Sequence, residues 1–283
     1  MSRTALALTT ALVASVSIAA QQRVPVFELA LVTRTGAVTR IGKLPEGTFA
    51  PRLSPDGRQI TFDTFGDTIW IADLQDLGNP RKFGRGRFPM WSADGRRILY
   101  IALDGTHLFW QPVDGSGPAE LLADGARAPE YWSTAANIVT YITFKEPLDY
   151  DIWAFSPVER VPRPLIAKPM TSEMSSRMSP DGKWLAYQAN DSGAYEIYVE
   201  PYPRTGARTR ISDAGGQRPV WTPDGREIVY DNSNTLYAAS FRAAPTPEAG
   251  KPVALPIKGF IQGSGRRVWD MTPDGSQFLV LLP

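Results

Sequence analysis

The chain is 283 residues long, 43% hydrophobic and 11% aromatic, with a formal net charge of +1. This composition can fill a large core, is unlike that of a disordered chain, and gives no global field for nucleic acid or a membrane surface. With no cysteine the chain has no disulfide, thiolate metal site, catalytic thiol or lipid-modified cysteine anchor, and a single histidine, His107, leaves little of the usual acid-base chemistry of neutral pH.

Residues Met1 to Ala20 hold one basic residue, Arg3, then an uncharged run rich in Ala, Leu, Val and Thr that ends in Ser17-Ile-Ala-Ala20. Small residues at that place predict a secretory leader over 1–20, cleaved after Ala19 or Ala20 and followed by a single domain over 21–283. An uncleaved anchor is the alternative, which so short a run of small side chains fits poorly. The expected product is periplasmic or secreted, with no stable membrane span after cleavage.

Phe27 to Val32, the turn Thr33-Arg-Thr-Gly36 and Ala37 to Ile41 read as a hairpin. From there a unit recurs: Arg52-Leu-Ser-Pro-Asp-Gly, Met90-Trp-Ser-Ala-Asp-Gly, Arg177-Met-Ser-Pro-Asp-Gly, Val220-Trp-Thr-Pro-Asp-Gly and Asp270-Met-Thr-Pro-Asp-Gly, with a weaker copy at Tyr131-Trp-Ser-Thr-Ala-Ala. In this tetrapeptide Pro presets φ, Asp tolerates the third turn position and Gly accepts positive φ at the fourth, which closes a hairpin. The flanks alternate apolar and polar, the period of a half-buried strand. Blade three has Ala136 where Gly is expected, so its turn should differ.

Each hairpin is followed by a third strand, at Thr68 to Ala72, His107 to Trp110, Asp151 to Phe155, Glu196 to Val199 and Thr235 to Ala238. Fourth strands follow at Arg81 to Phe83, Glu120 to Leu122, Arg163 to Ile166, Arg208 to Ile211 and Lys251 to Leu255. The copies are spaced by about 38 to 50 residues, the interval of propeller blades built from strands. The last copy, Trp269 to Leu282, has two strands and the amino-terminal hairpin supplies the missing two. The prediction is an all-β fold, a six-bladed β-propeller of four-stranded antiparallel blades closed by amino-terminal strands pairing with the carboxy-terminal hairpin, without the exposed edges of an open stack.

The repeats, their spacing and this closure resemble the TolB-like family of six-bladed β-propellers over about Arg23 to Pro283. The segment Trp184 to Pro203 and the terminal Asp270 to Leu279 also resemble extracytoplasmic propellers of bacterial serine/threonine kinases, and similar repeats occur in the propellers of prolyl-oligopeptidase-type enzymes. No kinase motif and no Gly-x-Ser-x-Gly elbow accompanies them here. The resemblance implies a partner in the cell envelope.

His107 opens a third strand and reads as a solvated strand-end residue, since a catalytic triad needs a nucleophile and a carboxylate converging on it. The turn aspartates fall one per blade, too dispersed for paired acid-base work, and Trp91, Trp132 and Trp221 read as packing between blades. The connectors leading into the blades carry Arg85, Arg87, Arg127, Arg218, Arg266 and Arg267 against Glu46, Glu130 and Glu173. Such residues are ordinarily a solvated fringe; converging at a channel mouth they would favour a carboxylate- or phosphate-bearing ligand.

The sequence therefore points to a monomeric, non-enzymatic binding or scaffold module that engages a cell-envelope protein or a small anionic ligand at one rim, with no catalytic residue, cofactor, metal or nucleic acid assigned. The alternatives are a channel-site enzyme, a lyase or hydrolase acting on a saccharide or lactone, and the sensor propeller of a truncated or split receptor kinase.

Overall fold

A computed structural model describes residues 26–65, 67–145, 149–261 and 266–283. The predicted leader over 1–20 lies outside them. Six antiparallel sheets follow one another around a ring, and every one has the predicted order from the innermost strand outward. Blade one is Thr48–Leu53, Gln59–Thr64, Thr68–Asp73 and Asp76–Arg85; blade two is Arg87–Trp91, Arg97–Ile101, His107–Pro112 and Glu120–Asp124. Blade three is Ala126–Ser133, Ile138–Lys145, Asp149–Phe155 and Arg163–Ile166; blade four is Glu173–Met178, Trp184–Ala189, Glu196–Pro201 and Thr209–Arg210. Blade five is Gln217–Trp221, Glu227–Asn232 and Thr235–Arg242, whose outer edge pairs with two short strands, Glu248–Ala249 and Val253–Ala254.

Blade six joins the two ends of the ring. Glu28–Thr33 pairs antiparallel with Gln277–Leu282, with Leu29 opposite Leu281 and Val32 opposite Phe278. Val38–Lys43 lies outside it and Trp269–Met271 inside. This is the predicted closure, and it leaves the blade stack without an open end. No helix among the described residues is long and apolar enough to cross a membrane.

The turns work as their chemistry requires. In blade one the Ser54 hydroxyl donates to Asp56 Oδ1 at 2.6 Å, the same oxygen accepts the Arg58 amide at 3.1 Å, and Gly57 takes φ of 72°. The same hydroxyl-to-Asp bond recurs at Ser92, Ser179, Thr222 and Thr272. The turn aspartates are thus internal hydrogen-bond acceptors. In blade three the positive φ moves one residue on, to Asn137 at 50°, because Ala136 cannot take it without strain. Ser133 Oγ there accepts the Ala136 amide at 3.1 Å in place of an Asp bond.

The core is distributed among six seams. One apolar cluster lies between each pair of neighbouring blades: Ile69 and Ile71 of blade one meet Trp91 and Ile98 of blade two, and Val229 and Leu236 of blade five meet Trp269 and Phe278 of blade six. Each blade is covered on both faces, so its middle strands are apolar throughout. In Arg97–Ile101 four consecutive residues, Ile98, Leu99, Tyr100 and Ile101, are buried, as are Leu279, Val280 and Leu281. The alternating half-buried pattern expected from the sequence is therefore corrected for these strands, for the physical reason that both their faces are seams. Each such side chain contributes about 1.5–3 kcal/mol by leaving water, and this burial holds the blades rigidly enough to define the channel they surround.

Candidate functional site

The innermost strands run from the connectors down to the turns, and their inward residues line the channel. Two residues before each turn Ser or Thr stands one inward side chain: Arg52, Met90, Tyr131, Arg177, Val220 and Asp270 in blades one to six. Blades one and four are opposite each other in a ring of six, so Arg52 and Arg177 face each other across the channel. Their backbones are held from the next blade: Trp91 Nε1 donates to the Arg52 carbonyl at 3.0 Å and Trp221 Nε1 to the Arg177 carbonyl at 3.1 Å. Those two indoles are thus pins between blades, while Trp132 stacks on Trp110 with ring centres 5.5 Å apart.

Backbone bulges aim these side chains. In four blades the residue two positions earlier has a left-handed φ: Ala50 at 42°, Phe88 at 60°, Ser175 at 60° and Arg218 at 56°. Each coincides with a break in the pairing of the first and second strands. Non-glycine residues there cost about 1–2 kcal/mol each, and bulges of this kind redirect side chains beside functional sites. Side chains of preceding blades accept the amides so turned out. Asp63 takes the Phe88 amide at 3.2 Å, Gln188 takes that of Arg218 at 2.8 Å, and Glu130 takes those of Ser175 and Ser176 together with the Ser176 hydroxyl.

Two chambers meet at the ring of Arg52 and Arg177. On the connector side lies a cavity of about 90 Å³, bounded among others by Phe88, Ser175, Arg218 and Arg266. On the turn side a wider funnel of about 470 Å³ opens between the turns. Arg52, Met90, Glu130, Arg177 and Arg267 border both spaces and so form the throat between them.

Five guanidinium groups converge here and are unevenly matched. Arg218 forms a buried bidentate pair with Asp231, at 2.7 and 2.8 Å, and Asp231 also accepts Trp269 Nε1 at 2.5 Å. Arg266 pairs with Asp63 at 3.2 Å and covers the Phe88 ring. Arg267 pairs with Asp270 at 3.0 Å, while its Nε is buried with no hydrogen-bond partner among the described residues. Arg52 and Arg177 instead donate to main-chain carbonyls, Arg52 to Pro51 at 2.9 Å and Arg177 to Ser176 at 2.9 Å and to Glu130. Among the described residues neither lies within ion-pair distance of a carboxylate.

The electrostatics follow from burial and crowding. Burial first, then the like charge of Arg267, pulls Arg52 well below its ordinary range and brings Arg177 down to about 10. Arg177 stays protonated at neutral pH. Burial also pushes Glu130 up, against its hydrogen bonds from Ser176 and Ser175. An anion placed between Arg52 and Arg177 would relieve the repulsion that depresses them.

The connector arginines divide. Arg218, Arg266 and Arg267 line the channel. Arg85 is exposed at the end of a fourth strand. Arg87 pairs with Asp67 at 2.6 Å, and Arg127 donates to the Gly105 carbonyl at 3.1 Å and lies over Phe144. Sequence reasoning on the connectors passes over Arg52 and Arg177. A signal for Arg52 was present, since Pro51, like Pro89, Pro129 and Pro219, interrupts an innermost strand and proline inside a strand marks a bulge; the strand of Arg177, Glu173–Met178, carries no proline. His107 is partly exposed, with Nδ1 2.5 Å from Asp104 and Nε2 3.4 Å from Asp124. No group of three or more His, Asp or Glu among the described residues is arranged to hold a metal ion.

A candidate TolB from Agrobacterium tumefaciens superposes with a TM-score of 0.69 at 17% identity, over 91% of this chain and 98% of that one. The fold is that of the TolB propellers. TolB from Acinetobacter baumannii matches this TolB-like chain with a TM-score of 0.59 at 14% identity, over 90% of it and 63% of the other. The TolB-like architecture is shared with an enzyme, the oligogalacturonate lyase of Vibrio parahaemolyticus, with a TM-score of 0.57 at 14% identity over 87% of this chain and 80% of that one. No family model matches the chain, and no curated protein matches it in sequence.

Proposed function

We propose that this is an exported binding propeller that receives an anionic group of a small ligand or of a cell-envelope protein at the throat of its channel. The observation that carries the reading is the pair Arg52 and Arg177, opposed across the ring, whose hydrogen bonds go to main-chain carbonyls, with Arg177 also lying over the Tyr131 ring. Ordinary strand residues would not be held there by bulged backbone and indole pins with no carboxylate in ion-pair distance among the described residues. Guanidinium forks match carboxylate and phosphate geometry, and in a recess of low dielectric such bonds are stronger than at a surface. In this reading the leader predicted over 1–20 is the route of export, and the likeness to TolB folds supports a partner in the cell envelope. Arg218, Arg266 and Arg267 form the connector-side wall. Arg85, Arg87 and Arg127 contribute a positive fringe at that rim.

The test is thermal unfolding in the presence of sodium acetate, inorganic phosphate or digalacturonate at constant ionic strength. A bound anion at ten times its Kd stabilises by about 1.4 kcal/mol. The expected result is a rise in Tm for at least one of these anions in the wild type and none in the Arg52→Met/Arg177→Met double variant. Equal responses of the two proteins to all three would refute the site.

A further inference from the structure

The throat and the funnel together restrict what the anion can belong to. Around the throat Arg52, Arg177, Arg218, Arg266 and Arg267 meet the carboxylates of Asp63, Glu130, Asp231 and Asp270. With Glu130 ionised this leaves one positive charge in excess, the complement of a single carboxylate. Protonation of Glu130 only enlarges that excess.

The funnel wall is mixed, with Tyr131, Ser133, Thr134 and Asp270 among its polar residues, and it carries an apolar stretch where a ligand's body would lie. Pro55, Pro180, Pro223 and Pro273 ring its mouth, with Met90 and Val220 below them. In five of the six blades the turn hydroxyl that might have bonded a sugar is already committed to the turn aspartate, Ser133 of blade three being the exception. A polyhydroxylated ligand would surrender its water bonds there without replacement, at a cost of about 1–3 kcal/mol for each unsatisfied group. An apolar body loses nothing in the same place.

The channel also narrows beyond the arginines. The Arg218–Asp231 pair and the stack of Arg266 on Phe88 bound the connector-side cavity of about 90 Å³, against about 470 Å³ for the funnel. Such a space admits several waters and is the smaller of the two. A group entering from the turn side meets Arg52 and Arg177 before reaching it. Resting on the anion-binding reading, we propose that the throat receives the free carboxyl terminus of a polypeptide with apolar last residues. It enters through the turn-side funnel, and its terminal carboxylate lies between the forks of Arg52 and Arg177.

The experiment uses an array of acetylated hexapeptides whose last three residues are drawn from Ala, Val, Leu, Phe and Pro, synthesised both as free acids and as carboxyamides. Binding is measured by fluorescence anisotropy with the full mature chain. Free-acid peptides should bind and their amides should lose at least about tenfold, the scale of one lost charged hydrogen bond. Arg52→Met and Arg177→Met should each impose a similar loss, while Arg40→Met, exposed on the outer strand of blade six, should not. Equal binding of acids and amides, or no binding of any free acid up to millimolar concentration, overturns the terminus proposal. If digalacturonate or phosphate raises the Tm while the array stays silent, the anion site stands and only the terminus inference fails. If neither class binds, both fail.

Discussion

Arg218 and Arg177 line the same channel from neighbouring blades and differ in everything that fixes their energetic role. Arg218 is buried and holds both oxygens of Asp231, which Trp269 also bonds from blade six, so three strands of two blades are tied into one network. Arg177 is crowded by Arg267 and rests on carbonyls. The first arrangement is structural, since its charges are satisfied within the protein. The second leaves its charge to be satisfied from outside, and stability has been given up to keep it there. In the proposed reading, an arginine's partner, rather than its position at a mouth, separates scaffold from recognition.

Removing one member of each class should break the comparison or sharpen it. Arg218→Met strands the Asp231 carboxylate in a buried seam and should destabilise by about 3–5 kcal/mol, read as a fall in the urea midpoint with unchanged slope. A loss below about 1 kcal/mol would mean that the pair is not the fastener described. Arg52→Met removes a cation that burial and Arg267 already disfavour, and it should raise stability by about 1 kcal/mol while weakening anion binding. A loss comparable to that of Arg218→Met would show instead that Arg52 is structural.

The smallest effect concerns pH. Burial raises the Glu130 pKa in the folded state, so the folded protein holds that proton more tightly than the unfolded chain. Its contribution to stability is full below the ordinary carboxylate pKa and is lost as pH rises through the raised folded value. Glu130→Gln should flatten this decline, seen as a shallower fall in urea midpoint with rising pH above the unfolded carboxylate range. An unchanged slope would place the titration elsewhere.

The architecture was readable in the sequence because turn chemistry is local. Ser-Pro-Asp-Gly specifies its own hydrogen bonds, and its recurrence counts the blades. Even the exception was legible, since Ala136 forces the positive φ onto Asn137. The throat was harder to read, although Arg52 and Arg177 stand at the first position of two repeat units. Whether residues in different blades converge depends on ring closure, and whether an arginine is paired depends on partners far along the chain. Asp231 is thirteen residues beyond Arg218 on the adjacent strand, and Asp63 is 203 residues from Arg266. Composition of the connectors raised Arg218, Arg266 and Arg267, which line the channel. It could not distinguish them from Arg87, which is occupied by Asp67.

The pairing of Glu28–Thr33 with Gln277–Leu282 sets the order in which the recess can come into being. Arg267 and Asp270 belong to the blade that this pairing completes, so two groups of the throat take their places only after the latest-made strand has docked against the earliest. Contacts so distant along the chain form slowly. The throat is therefore complete only in the step that locks the ring.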